Sequence, residues 1–136
     1  MSYALSAPLQ AAVYTALISD GALTALLQDH IYDAVPTGTL PETYVSLGQE
    51  RVRDASDATG NGALHRLDVS IFTTQPGFAG AKQVAARISD VLHGANLALT
   101  RGRLVFLHFE RAEARRIASS SAREIVLRFQ ARVDDD

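Results

Sequence analysis

Four histidines, a run of three serines, two glutamates three positions apart and a pair of adjacent arginines are the groups in this 136-residue sequence whose types could support chemistry. His30, His65, His93 and His108 stand singly, without the His-x-His or His-x-x-x-His spacing that aims two imidazoles at one metal. His108 shares a strand face with Leu104 and Phe106 and reads as a hydrogen-bonded core or edge histidine. Ser119, Ser120 and Ser121 fall in a turn, with no adjacent base and no strand–turn–helix elbow to activate a nucleophile. Glu110 and Glu113 project from different faces of an extended segment, so they cannot flank one glycosidic bond. Arg115 and Arg116 carry forked donors that could clamp a phosphate or carboxylate, although a solvated pair beside a turn needs no ligand. Gly77-Phe78-Ala79-Gly80 opens a helix where an anion could rest, but it lacks the Lys-Ser/Thr of a phosphate loop and the third glycine of a dinucleotide site. With no cysteine there is no thiol nucleophile, thiolate metal site or disulfide. The sequence therefore predicts a protein that is not an enzyme and that takes no cofactor or metal.

The elements that would carry these residues follow from periodicity. Ser6 reads as an N-cap, and Leu9, Val13 and Leu17 form one apolar stripe of a helix over residues 7–18. Ser19-Asp20-Gly21 breaks it, and Asp20 can cap a shorter helix through Leu23, Leu26 and Leu27. Pro36 and Pro41 exclude a helix between them, and residues 44–52 read as a strand. Residues 54–62 contain no large apolar side chain, which predicts a mobile loop at the tip of a long hairpin. Leu67, Val69 and Ile71 alternate with Arg66, Asp68 and Ser70 in a second strand. Ala81, Val84, Ala85, Ile88, Val91 and Leu92 recur at helical spacing, with His93 in the last turn and Gly94 as the stop. Residues 104–109 are apolar on both faces and read as a central strand, extended by a polar stretch to 117. In the last strand Ile125, Leu127, Phe129, Ala131 and Val133 point inward. The expected fold is α+β: one domain over residues 1–136, with two layers and a mostly antiparallel sheet of about four strands covered by helices on one face.

Charge is distributed unevenly along the chain. Residues 1–50 contain no Lys or Arg but five acids, whereas residues 101–132 hold eight Arg against Glu110, Glu113 and Glu124, and residues 134–136 form an acidic tail. Such a dipolar molecule suits head-to-tail association with itself. The absence of Trp and an aromatic content of 7% leave no stacking platform for nucleic acid. The longest apolar stretch, residues 104–107, is too short for a bilayer, and no secretory signal opens the chain, so no membrane partner and a cytoplasmic location are expected. Protein contacts are assigned to the bare loop, through Asp54, Asp57 and Asn61, and to the Arg-rich hairpin, through Arg111, Arg115 and Arg116. Arg128 and Arg132 are assigned to ion pairs between subunits.

The order of these elements resembles the small tail-completion proteins of long-tailed bacteriophages, most closely the version in the gene transfer agents of alphaproteobacteria. The likeness spans essentially the whole chain. It rests on the opening helix with Leu9, Val13 and Leu17, on Ile31-Tyr32-Asp33-Ala34-Val35-Pro36, and on Pro41-Glu42-Thr43-Tyr44-Val45-Ser46-Leu47-Gly48. The Gly60-Asn61-Gly62 loop, the strand Leu67-Asp68-Val69-Ser70-Ile71-Phe72 and the long helix over 80–92 complete it. The resemblance implies a tail terminator, a homohexameric ring at the head-proximal end of the tail tube. Such a ring stops tube polymerisation, meets the head-side stopper or connector, and lets DNA pass without reading its sequence. It also implies assembly in the host cytoplasm and then a place at the head–tail junction of the particle. A head–tail stopper is the alternative within this class. A small-molecule-binding regulatory module would need a closed pocket, and a hydrolase or transferase a catalytic constellation, that no spacing here supplies.

Overall fold

Two strands with clean period-two alternation and three helices with a buried stripe have one economical solution, a sheet with helices on one face. The computed structural model describes residues 3–58, 60–118 and 120–135. Thr59 of the predicted loop, Ser119 of the serine turn and Asp136 of the acidic tail lie outside the described residues. The order is α1 (Ser6–Ile18), α2 (Gly21–Leu27), β1 (Ile31–Tyr32), β2 (Thr43–Asp54), β3 (Asn61–Thr73), α3 (Ala79–Leu92), β4 (Arg103–Arg116) and β5 (Arg123–Asp135). The strands form one sheet in the order β1-β2-β3-β5-β4. Only the β1–β2 pairing is parallel. The two-layer α+β expectation holds, with five strands rather than four because the two-residue β1 adds an edge.

The backbone of the sheet is the β3–β5 ladder, paired without interruption from Asn61 opposite Asp135 to Thr73 opposite Arg123. Its inner face carries Val69, Ile71, Ile125, Leu127, Phe129, Ala131 and Val133, all buried. Above them lie Leu9, Val13 and Leu17 of α1, Leu23 and Leu27 of α2, and Ala81, Val84, Ile88 and Leu92 of α3. Each buried Leu, Ile or Phe contributes roughly 1.5–3 kcal/mol by leaving water.

Residues 104–109 prove to lie in an edge strand, not a central one. β4 pairs only with β5, and Val105 and Phe109 remain 44% and 39% exposed. Its composition misleads because two irregularities, at Leu104/Phe106 and Phe109/Arg111, redistribute its side chains between faces. Leu104 and Leu107 are both buried, so His108 does not share a face with Leu104; it is exposed and stacks on Phe106 at 4.7 Å. The same irregularity brings Glu110 to the face on which Glu113 stands, where Glu110 meets Arg66 at 3.2 Å. Part of this edge is sealed by the end of α3. Gly94 N–H donates to the Leu107 carbonyl (2.7 Å), and Phe109 N–H donates to His93 Nδ1 (2.9 Å). His93 thus serves as an acceptor for β4. Gly94 has the positive φ (74°) of a helix stop, as expected.

Two helix starts differ in how they are capped. Ser6 is the first helical residue, after a Leu5 N-cap, and its hydroxyl donates to Glu50 Oε1 (2.7 Å) instead of capping. Asp20 does cap α2, accepting Leu23 N–H at 3.0 Å, and also takes a forked contact from Arg87 of α3 at 2.9 and 2.6 Å. The Arg87 hydrogen bonds are the largest cause holding the Asp20 carboxyl down from 3.8 to about 2. Its stabilising contribution is therefore complete above pH 3.8 and is lost as the pH falls toward 2. Asp20→Ala should cost about 1 kcal/mol at neutral pH. In denaturant titrations the gap between variant and parent should narrow below pH 4; a gap constant down to pH 2 would contradict the assignment.

Candidate functional site

The one constellation that resembles catalytic parts is buried beneath the N-terminus of α1. A register shift between Leu47 and Glu50 turns the Glu50 carboxylate inward, beside the strand glycine Gly48. There it accepts hydrogen bonds from Ser6 Oγ (2.7 Å) and Tyr3 Oη and pairs with His65 Nδ1 at 3.0 Å. Burial pushes the Glu50 carboxyl up, but these hydrogen bonds outweigh it and hold the group below its ordinary value. Serine, histidine and glutamate are all present, yet serine and histidine both bind the carboxylate and not each other, so the serine–histidine contact of a nucleophile triad is not formed. His65 is fully buried, and its Nε2 has no hydrogen-bond partner among the described residues. The cluster ties the N-terminal segment to β2 and β3. Sequence reading missed it because its members lie 15 and 44 positions from Glu50. Gly48 inside a strand was the one local signal of the bulge that creates it.

Open grooves flank α1. One, about 550 Å³, borders this cluster and runs between Tyr3, Ser6, Gln10, Tyr14 and Asp33; another, about 420 Å³, follows the other flank past Pro8, Ala12, Thr15 and Leu97. Neither brings together an acid–base pair, and no group of three potential metal ligands occurs among the described residues. No single helix among these residues is long and apolar enough to cross a membrane.

What the fold does organise is its surface. The helix-free face of the sheet is a field of ion pairs, three set across strands, Arg128–Asp68 (3.0 Å), Arg66–Glu110 (3.2 Å) and Arg115–Glu124 (2.8 Å), and one along β5, Arg132–Asp134 (3.1 Å). At its β1 side, Tyr32, Tyr44 and Phe72 form an aromatic row with centroids 6.0 and 5.1 Å apart. Arg128 and Arg132, assigned from sequence to neighbouring subunits, thus have partners within their own chain. Arg115 lies on this face and pairs with Glu124, whereas Arg116 occupies the opposite face across from Arg123, so the two do not form one clamp. Arg111 lines a shallow hollow with Asp68, Glu113 and Arg128.

Residues 55–58 and 60 lie in the connection of the hairpin formed by β2 and β3. Asp54 accepts the Ser56 hydroxyl (2.6 Å) and Asp57 accepts Gly60 N–H (3.0 Å), so both acids shape the turn; Asn61 begins β3 and is exposed. The tip stands near the C-terminal end of β5, since Asn61 pairs with Asp135, and the 117–122 tip lies at the other end of the ladder. The loop residues and the Arg115–Arg116 pair therefore occupy opposite ends of the sheet, whereas Arg111, opposite Arg128, stands near its middle.

Comparison with known proteins matches these features to a particle component. The family described as Tail completion protein gp17 matches residues 11–134. A chain in the solved structure titled "Virion of native gene transfer agent (GTA) particle" is 55% identical, with a TM-score of 0.93, over 98% of this chain and 99% of that one. No curated protein sequence matches.

The Arg128–Asp68 pair tests whether the open face is a coupled structure. Both side chains are mostly covered, at 21% and 13% exposure. Arg128→Ala leaves the carboxylate unpaired and should destabilise by on the order of 1 kcal/mol, and adding Asp68→Ala should restore part of that loss. Strict additivity in urea denaturation would show that the pair contributes nothing.

Proposed function

We propose that this chain, which belongs to the gp17 family of tail completion proteins, acts as a tail terminator: a ring, six copies around, on the head-proximal end of the tail tube. The likeness to a chain of the gene transfer agent virion, over 98% of this sequence, carries the reading. A tube grows because each ring displays the surface that the next ring recognises. A terminator binds that surface on one side and displays a different one on the other, so elongation stops. The ladder supports this division of labour, because its two ends carry unlike hairpin tips: a turn built on Asp54 and Asp57, and an arginine-flanked turn after Arg115 and Arg116. One tip would meet the tube and the other the head-side connector.

Size agrees with passage of DNA. The chain length implies a radius of gyration near ~14 Å, or a sphere ~37 Å across, and six such spheres in contact leave an opening about one sphere wide. Unpaired arginines along that opening would grip phosphates strongly and hinder transit. Arg128 and Arg132 are already engaged by Asp68 and Asp134, so they do not dominate the charge of the lumen. The action is structural rather than catalytic, with assembly in the host cytoplasm before incorporation at the head–tail junction.

Light scattering after size exclusion, with and without purified tube protein, tests the reading. The chain should become six-fold on tube ends and should fix tube length. A chain that stays monomeric and leaves tube length unchanged would refute it, and co-purification with a portal-side adaptor in place of tube protein would point to a stopper. Replacing residues 55–60 by an Asn-Gly turn should leave the melting temperature within a few degrees of the parent and weaken docking about tenfold, about 1.4 kcal/mol. Unchanged docking affinity would remove that tip from the contact.

A further inference from the structure

We infer that a second copy of this chain docks on the exposed arm of β4, with Phe109, Ala112 and Arg116 of one copy facing Leu26, Asp29 and Val35 of the next. The inference rests on the ring reading above and assigns the contact that would close it. The β4 edge is sealed by His93 and Gly94 at Leu107–Phe109 only. Beyond that point Ala112 and Ala114 stand on the inner face, opposite Leu127 and Ile125, yet both are exposed. Their small side chains let another backbone or helix approach closely. Phe109, 39% exposed, ends the covered part of this face. Arg116 is also on this face and, among the described residues, has no ion pair.

The opposite edge of the sheet has complementary chemistry. Residues 26–35 wrap the β1 edge, where Leu26 and Val35 are 47% and 40% exposed. Asp29 is 97% exposed, with His30 at 3.7 Å, while Asp33 accepts a hydrogen bond from Gln10. The first 50 residues contain no Lys or Arg, so this edge presents carboxylates, whereas β4 presents arginine. Apolar patches would provide most of the affinity, and the charges would set register and reject the like-edge pairing. Because the two patches sit on opposite edges, the contact is heterologous, and repeating it satisfies every copy only when a ring closes.

The chain has no cysteine, so introduced thiols report this contact cleanly. In tube-bound protein treated with a bismaleimide, Ala112→Cys combined with Leu26→Cys should give a ladder of cross-linked species beyond the dimer, and neither single variant should cross-link. Dimers from Ala112→Cys alone would reveal a two-fold contact and overturn the inference. So would cross-links to tube protein only, or a ring of unchanged mass that gives no ladder, although that last result leaves the ring itself standing. A chain that remains monomeric on tubes would instead defeat the ring reading. As a second measure, Arg116→Glu and Asp29→Arg should each lower ring formation at least tenfold with unchanged melting temperature, and together should restore it. Failure of the pair to rescue, with both singles folded, would also overturn the assignment.

Discussion

The structure depends on the long β3–β5 ladder having one face covered and one face open. Thirteen consecutive pairs give a stiff, twisted plank, and the apolar alternation of both strands leaves no freedom in register, because a one-residue slip would turn Phe129, Leu127 and Ile125 to water. Three short helices can cover the middle of such a plank but not its ends or its outer strand. The parts left uncovered are the hairpin tips, the arm of β4 and the helix-free face. The features expected to meet other proteins are therefore a consequence of helices shorter than the sheet they cover.

Electrostatics on this scaffold is mostly internal. The open face neutralises its charges across strands at Asp68, Glu124 and Glu110 and along β5 at Asp134, each facing an arginine, and Asp20 joins α2 to α3 through Arg87. Exposed pairs of this kind add little to stability one by one. Their larger effect is to leave few charges uncommitted, so that the arginines of the β4 arm and the carboxylates of the β1 edge stand out against a compensated background.

Buried polar groups here hold the fold together. Glu50 and His65 could pass for catalytic residues by type, but the carboxylate is the shared acceptor of three groups drawn from the N-terminal segment and β3. A network of that geometry ties the N-terminal segment to β2 and β3.

Much of this was legible in the amino-acid order. The stripe Leu9, Val13, Leu17, the alternation of Leu67, Val69 and Ile71, the inward row ending at Val133, the Asp20 cap and the Gly94 stop are all local patterns, set by side-chain period and backbone preference, and each sits where those rules place it. The lengthwise charge split was likewise visible in one dimension. Only the tertiary structure decided that residues 104–109 form an edge, that a bulge carries Glu110 to the face of Glu113, that Arg128 and Arg132 are spoken for, and that Glu50 finds Ser6 and His65. Strand order and bulges arise from pairings between distant segments. Apolar residues on both faces record that a strand is covered above and below, but nothing in their sequence says whether the strand that lies beside them belongs to the same molecule.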